Sequence, residues 1–294
     1  MLNDRIKRLF TPENGINLSE QRHAEFGPHR SGWRKAVKKL SILQNNEAIY
    51  LDPFIERTLV WQPSGPQKHH QPWIGFIHVP PNVPDWFHSD QSNRNLFNSE
   101  ELKETFSLCR GLFTLSKYHK SSLEKHLNIP VNALIHPTEF VKQVWSWEAF
   151  IRNKKKKIVQ LGWWLRKLNA IYELPRTSYQ KVFLRVSKES FLSDLIEKER
   201  QLHREADTFK DSMLQSVEIM DYLNNFDYDI LLSSNIMFVD LYDSSANNAV
   251  IECIARCTPI LINPLPAVIE YLGESYPLYY QSYDEAIEKA EDYQ

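Results

Sequence analysis

The C-terminal half of the chain alternates short apolar, β-branched runs with amphipathic helical stretches, and that alternation leaves few folds open. IVQLGWW (158–164), KVFLRV (181–186), NIMFVDLY (235–242), TPILIN (258–263) and YPLYY (276–280) read as strands. NNAVIECIARC (247–257), PAVIEYLG (266–273) and SYDEAIEKAEDY (282–293) read as helices between or after them. Short connections and strands without a polar face predict a parallel sheet covered on both sides, the α/β layer architecture. The charged stretch from 187 to 213 reads as a helical surface insertion with a solvated face.

The N-terminal half carries the same signals less cleanly. Residues 1–30 are polar and irregular; Trp33, Val37, Leu40 and Leu43 then share one helical face. EAIYLDPFIE (47–56) and WIGFIHV (73–79) read as strands, followed by helix at 99–110, strand at 111–116, helix at 117–127 and strand at 131–137. With 294 residues there is enough chain for two cores, and Pro137 with the Lys154–Lys157 run marks a seam. The expected domains are 1–150 and 151–294.

Composition removes several function classes. A net charge of -2 gives no global attraction to nucleic acid, and no run approaches the roughly 18 apolar residues of a membrane span. The lysine run reads either as solvated charge between domains or as a contact to an anionic membrane surface, peripheral at most. Three cysteines without metal-ligand spacing, and no secretory leader pattern, predict reduced thiols and a cytoplasmic protein.

In open α/β sheets ligands bind beyond the carboxyl ends of strands, where helix N-termini offer free N–H groups to phosphate. The most informative such place is Asp243-Ser244-Ser245-Ala246-Asn247-Asn248 before the helix bearing Glu252. It reads either as an ordinary N-cap or as a diphosphate loop, with Glu252 accepting from ribose hydroxyls. His78, at the end of a strand, leads into a stiff loop through Pro80, Pro81 and Pro84 that can hold Asp85 and Trp86 over a cleft; a single histidine there is either structural or a site residue. Ser116 either caps a helix or touches substrate. Gly32, after Phe26–Ser31, marks a plain helix start or a close backbone approach.

Ala249–Asn263, Pro264-Leu265-Pro266 with Glu270 and Gly273, and GWWLRK (162–167) resemble the donor-binding half of GT-B fold glycosyltransferases, of the retaining group 1 type. The resemblance runs over roughly residues 70 to 290. It implies an α/β, GT-B-like chain of two Rossmann-like domains facing each other across a cleft, the first for acceptor and the second for donor. It implies that Gly162, Arg166 and Lys167 receive the leaving diphosphate and that Glu252 holds ribose. In the family a second acid stands eight residues earlier; here that position is Ser244, with Asp243 beside it. The family's loop-helix bordering the donor sugar corresponds to the segment with Glu270, and its acceptor side resembles the strand end bearing His78, which implies that a neutral imidazole there takes the acceptor hydroxyl proton or steadies the donor. No Asp-x-Asp lies beside these strands, so the expectation is transfer from a nucleotide-diphosphate sugar to a glycan or other hydroxyl acceptor, with no metal or other cofactor. The alternatives are a nucleotide-sugar epimerase of this fold and a non-catalytic nucleotide-sugar-binding partner.

Overall fold

The computed structural model describes residues 15–18, 32–62, 64–185 and 190–292. The Phe26–Ser31 segment lies outside the described residues. Contacts divide the chain into an N-terminal unit, Met1–Glu139, and a C-terminal unit, Phe140–Gln294, ahead of the lysine run. No helix among the described residues is long and apolar enough to cross a membrane.

The N-terminal unit is built on a five-stranded sheet of β1 (Ile16–Asn17), β2 (Ile49–Asp52), β3 (Trp73–Phe76), β4 (Cys109–Thr114) and β5 (Val131–Ala133). All neighbours are parallel and lie side by side in chain order. β1 falls in a stretch expected to be irregular; two residues carry too little pattern to read as a strand. Tyr50, Ile55, Trp73, Ile77, Leu96 and Leu112 form the core on one face, and Trp73 Nε1 donates to Thr105 O at 2.8 Å, which satisfies its one polar atom.

The C-terminal unit holds β6 (Lys157–Leu161), β7 (Gln180–Leu184), β8 (Val217–Met220), β9 (Ile236–Val239) and β10 (Ile260–Ile262), in the order β10-β9-β6-β7-β8, all parallel. The chain therefore winds outward from β6 through β7 and β8, returns to β9 on the other side of β6, and ends at β10. That reversal creates a topological switch point between β6 and β9. Both strands are buried on both faces: Ile158 and Phe238 pack into one core layer, Val159, Met237 and Val239 into the other.

Three expectations are corrected. The stretch read as a surface insertion contains the helix Ser190–Glu205, which is the crossover between β7 and β8; Leu192, Leu195 and Glu199 are buried. β8 itself went unread, being an edge strand of which only Val217 is buried. YPLYY is not a strand. It makes one bridge, Ile262 to Tyr279, and its tyrosines act as pillars: Tyr276 OH meets both the N and O of Ile260, and Tyr280 OH donates to Val239 O.

Candidate functional site

The loops leaving β6 and β9 are joined directly at the switch point. Lys167 N donates to Asp240 O (2.8 Å), Tyr242 N donates to Leu165 O (3.0 Å), and Arg166 bridges Leu241. Gln160 explains why the first loop stays in place. It is a polar residue in a central strand with 1% exposure, and its amide donates to Leu168 O (2.9 Å) while accepting from Ile171 N (3.0 Å). On the other side Asn263 mimics a strand, accepting from Leu241 N and donating to Leu241 O, each at 2.9 Å. Asn169 and Tyr242 are both tied to buried Glu199.

This scaffold aims Arg166 inward. Gly162 (φ 80°) and Leu165 (φ 51°) both take left-handed backbone, turning the chain so that the guanidinium folds back over Gly162. A Cβ at Gly162 would lie 2.4 Å from Arg166 Cζ. Arg166 is buried, and of its donors Nη1 reaches Trp164 O (3.0 Å) and Nη2 reaches Asn247 Oδ1 (3.1 Å). Both acceptors are neutral, and Nε is buried without a partner. Burial lowers its pKa to about 10, opposed by the nearby Tyr228 and Glu252, so at neutral pH the site keeps a buried cation.

The other candidates gather around it. Asn247 caps the helix Asn248–Arg256, its Oδ1 accepting from Ala249 N at 2.9 Å as well as from Arg166; the helix start thus faces the same place as the guanidinium. Ser244 and Asp243 are buried in the loop, with Ser244 N donating to Asp243 Oδ1 at 2.8 Å. Glu252 is buried and accepts from Tyr228 OH at 2.5 Å. Burial first, and then Glu252, hold the Tyr228 phenol well above its usual pKa. Lys167 is engaged by Asp240, at 3.0 Å from Oδ1, and Asp240 also accepts from Tyr283 OH (2.9 Å). Glu270 is exposed on the helix Pro266–Leu272. The triplet Asp227-Tyr228-Asp229 lies on the helix Asn225–Ser233, where Asp229 forms a buried ion pair with Arg256 at 2.7 Å. Gln160, Tyr228, Asp240 and Asn263 were not singled out from sequence; only Asp240, directly after an apolar strand, carried a usable signal.

In the N-terminal unit the carboxyl ends of the strands gather titratable groups. Glu56 is fully buried; its Oε1 accepts from the N–H groups of His78 (2.9 Å) and Val79 (2.7 Å), and Oε2 has no partner. His78 Nε2 donates to Pro53 O (2.8 Å), leaving Nδ1 as the acceptor nitrogen. Trp33 packs between His78 and His136 at 5.5 Å from each ring, tilted against the first and edge-on to the second. Asp52 accepts from Phe54 N and Thr58 Oγ1 and pairs with His69 at 2.9 Å. Asp85 is exposed in the following turn. Ser116 is a cap, accepting from His119 N. Gly32 (φ 78°) does mark a close approach, to the chain's own Pro137 and Thr138.

Burial lowers the pKa of His78 and His136 to about 4 and of His119 to about 3, and raises that of Glu56 to about 8. Unfolded histidines bind protons below about 6.5 that the folded ones refuse, so each contributes stability present above that pH and lost on acidification. Folded Glu56 instead keeps a proton the unfolded chain releases above about 4.5, and its contribution is lost as pH rises towards 8. Between those limits the three histidines outweigh the raised carboxyls of Glu56 and Glu199, so stability should rise to a maximum near neutral pH and then decline towards pH 8, where Glu56 alone accounts for about 1–2 kcal/mol. Glu56→Gln should reduce the alkaline decline and leave the acid limb, as read by denaturant unfolding across pH 4–9, with the remainder carried by Glu199, raised by burial, and His203, raised by its bond to Glu173.

No protein-family model matches the chain, and no curated protein matches it by sequence. Solved structures do match by fold. Trehalose-6-phosphate synthase OtsA superposes with a TM-score of 0.53 at 10% identity, covering 88% of this chain and 68% of the enzyme. The α,α-trehalose 6-phosphate synthase of Burkholderia multivorans gives 0.50 at 12% identity, with 87% and 65% covered. The UDP-forming enzyme of Burkholderia vietnamiensis gives 0.49 at 12%, with 86% and 64% covered. The chain thus spans about two thirds of the length of the enzymes it matches. Its two Rossmann-like units, each on a five-stranded parallel sheet, give this chain the fold of the GT-B glycosyltransferases.

Proposed function

We propose that the chain is a glycosyltransferase that holds a nucleotide-diphosphate sugar at the switch point of its C-terminal unit and passes the sugar to a glycan or other hydroxyl acceptor. The observation that carries this reading is the Arg166 guanidinium, buried beside a helix start and hydrogen-bonded only to neutral oxygens. Glycosyl transfer releases a nucleoside diphosphate with more negative charge than the donor ester carries. A fixed cation at that place stabilises the transition state more than the ground state.

In this reading Arg166 and the N–H groups at Asn247 and Asn248 receive the diphosphate, while Gly162 leaves room for the guanidinium. Glu252, oriented by Tyr228, accepts from ribose, and Asp243 and Ser244 line the loop beside the sugar. Lys167 acts through its ion pair with Asp240 and shapes the loop. His78, with Nδ1 as acceptor, takes the proton of the acceptor hydroxyl, and Asp85 lies on the acceptor loop. The positive charge comes from side chain and backbone, so transfer is metal-independent.

A thermal-shift and calorimetric panel of UDP, GDP, dTDP, CMP and their common sugars tests the donor half. One nucleoside diphosphate should stabilise the protein by about 2–3 kcal/mol at a hundredfold excess over its Kd. Silence across the panel would remove the donor assignment. With the responding sugar, product analysis without and with acceptor separates epimerisation and simple binding from transfer.

A further inference from the structure

Residues 140–157, at the start of the C-terminal unit, combine two properties that a surface exposed only to water does not need together. The segment carries Lys142, Arg152 and Lys154–Lys157 against one acid, Glu148, in a chain whose net charge is -2. It also exposes large apolar side chains: Phe140 fully, and Val144, Trp147 and Ile151 at 45–48%.

The local fold explains why they stay outside. In the helix Trp147–Arg152, Phe150 points into the core at 2% exposure, while Trp147 and Ile151, one helical turn apart, stay half exposed beside it, the Trp147 ring lying 5.9 Å from that of Phe150 and 6.4 Å from that of Trp145. Ser146 caps the helix by accepting from Ala149 N. Asn153 pins its other end, donating to Ser234 O (3.0 Å) and Asn235 Oδ1 (2.9 Å), and Trp145 N donates to Arg256 O (2.7 Å). The exposed face is therefore held on a rigid support. Among the described residues Lys142, Arg152, Lys154 and Lys155 have no ion-pair partner, whereas Lys157 is paired with Glu218.

We infer that the exposed surface bearing Trp147 and Ile151, followed directly in the chain by Arg152, Lys154 and Lys155, is a docking surface for an anionic membrane. An indole and an aliphatic side chain enter the headgroup boundary, and lysines beside them meet acidic lipid heads. Nucleic acid offers the same charge, yet gives the aliphatic side chains no apolar phase to enter, which favours the membrane.

The test is co-sedimentation of the full chain with vesicles of pure phosphatidylcholine and of phosphatidylcholine with one third phosphatidylglycerol. Binding should require the anionic lipid and weaken with salt. The pair Lys154→Gln/Lys155→Gln should lower partitioning roughly tenfold or more, given about fivefold for each charge. Trp147→Ser/Ile151→Ser should also lower it roughly tenfold or more; all four side chains are exposed, and circular dichroism checks that the fold persists. The inference is overturned if wild type stays in the supernatant with anionic vesicles, or if binding survives the Trp147→Ser/Ile151→Ser change. It is also overturned if heparin or single-stranded RNA binds as tightly and with the same dependence on both variants, which would make the segment a general polyanion patch.

Discussion

Arg166→Ala should lower turnover from the nucleotide-diphosphate sugar by about 10²–10³-fold while weakening nucleoside diphosphate binding by a smaller factor. Losing one well-placed donor to a developing anion costs roughly 3–4 kcal/mol in the transition state. The guanidinium is already buried and oriented by Trp164 O and Asn247 Oδ1, so no reorganisation is spent when charge develops. Arg166→Lys should recover only part of the loss, because an ammonium on a flexible stem cannot bond Asn247 and a phosphate in the planar geometry of the fork. Steady-state kinetics with calorimetry for the diphosphate separate the two effects. An unchanged kcat in Arg166→Ala would remove this residue from the reaction and with it the main support for the donor site.

The same variant probes the buried charges around Arg166. Glu252 and Tyr228 share a short hydrogen bond and both lie within electrostatic reach of the guanidinium. Removing the cation leaves Glu252 with less compensation, so Arg166→Ala carries a stability cost that must be measured alongside the rate. Tyr228→Phe isolates that share, because it removes the hydroxyl bonded to Glu252 and leaves the guanidinium in place.

The fold was legible wherever burial on both faces wrote an apolar run. β6, β7, β9 and β10 could be read directly because central parallel strands have no polar side to obscure them. β8 could not, since only one of its side chains is buried. The aromatic run from Tyr276 to Tyr280 was misread because tyrosine density signals a strand while hydroxyls bonded to Ile260 and Val239 serve another purpose. In the candidate site, Gly162 and Arg166 were legible as a local pattern. Their meaning depends on partners far along the chain: Asn247 is 81 residues from Arg166, Asp240 is 73 from Lys167, and Tyr228 sits on another helix from Glu252. No periodicity encodes such pairs; the strand order does, by bringing the ends of β6 and β9 together.

Gly162→Ala should be nearly as damaging as loss of the arginine itself, although it deletes nothing. Two costs arise from one methyl group. The backbone at φ 80° disfavours any side chain by about 1–2 kcal/mol, and the added Cβ would stand 2.4 Å from Arg166 Cζ and 2.6 Å from Nε. The guanidinium must move, and moving it breaks its bond to Asn247 and withdraws it from the proposed diphosphate position. Diphosphate affinity and turnover should therefore fall towards the Arg166→Ala level. The double variant decides whether the clash is the cause. With the guanidinium gone, the three atoms nearest the methyl group are gone with it, so Gly162→Ala should cost little beyond its backbone share, about 1–2 kcal/mol in unfolding experiments, and nothing further in turnover. Additive losses in the double variant would show that Gly162 acts on the loop independently of Arg166. A strongly non-additive cycle would show that this glycine exists to seat that arginine.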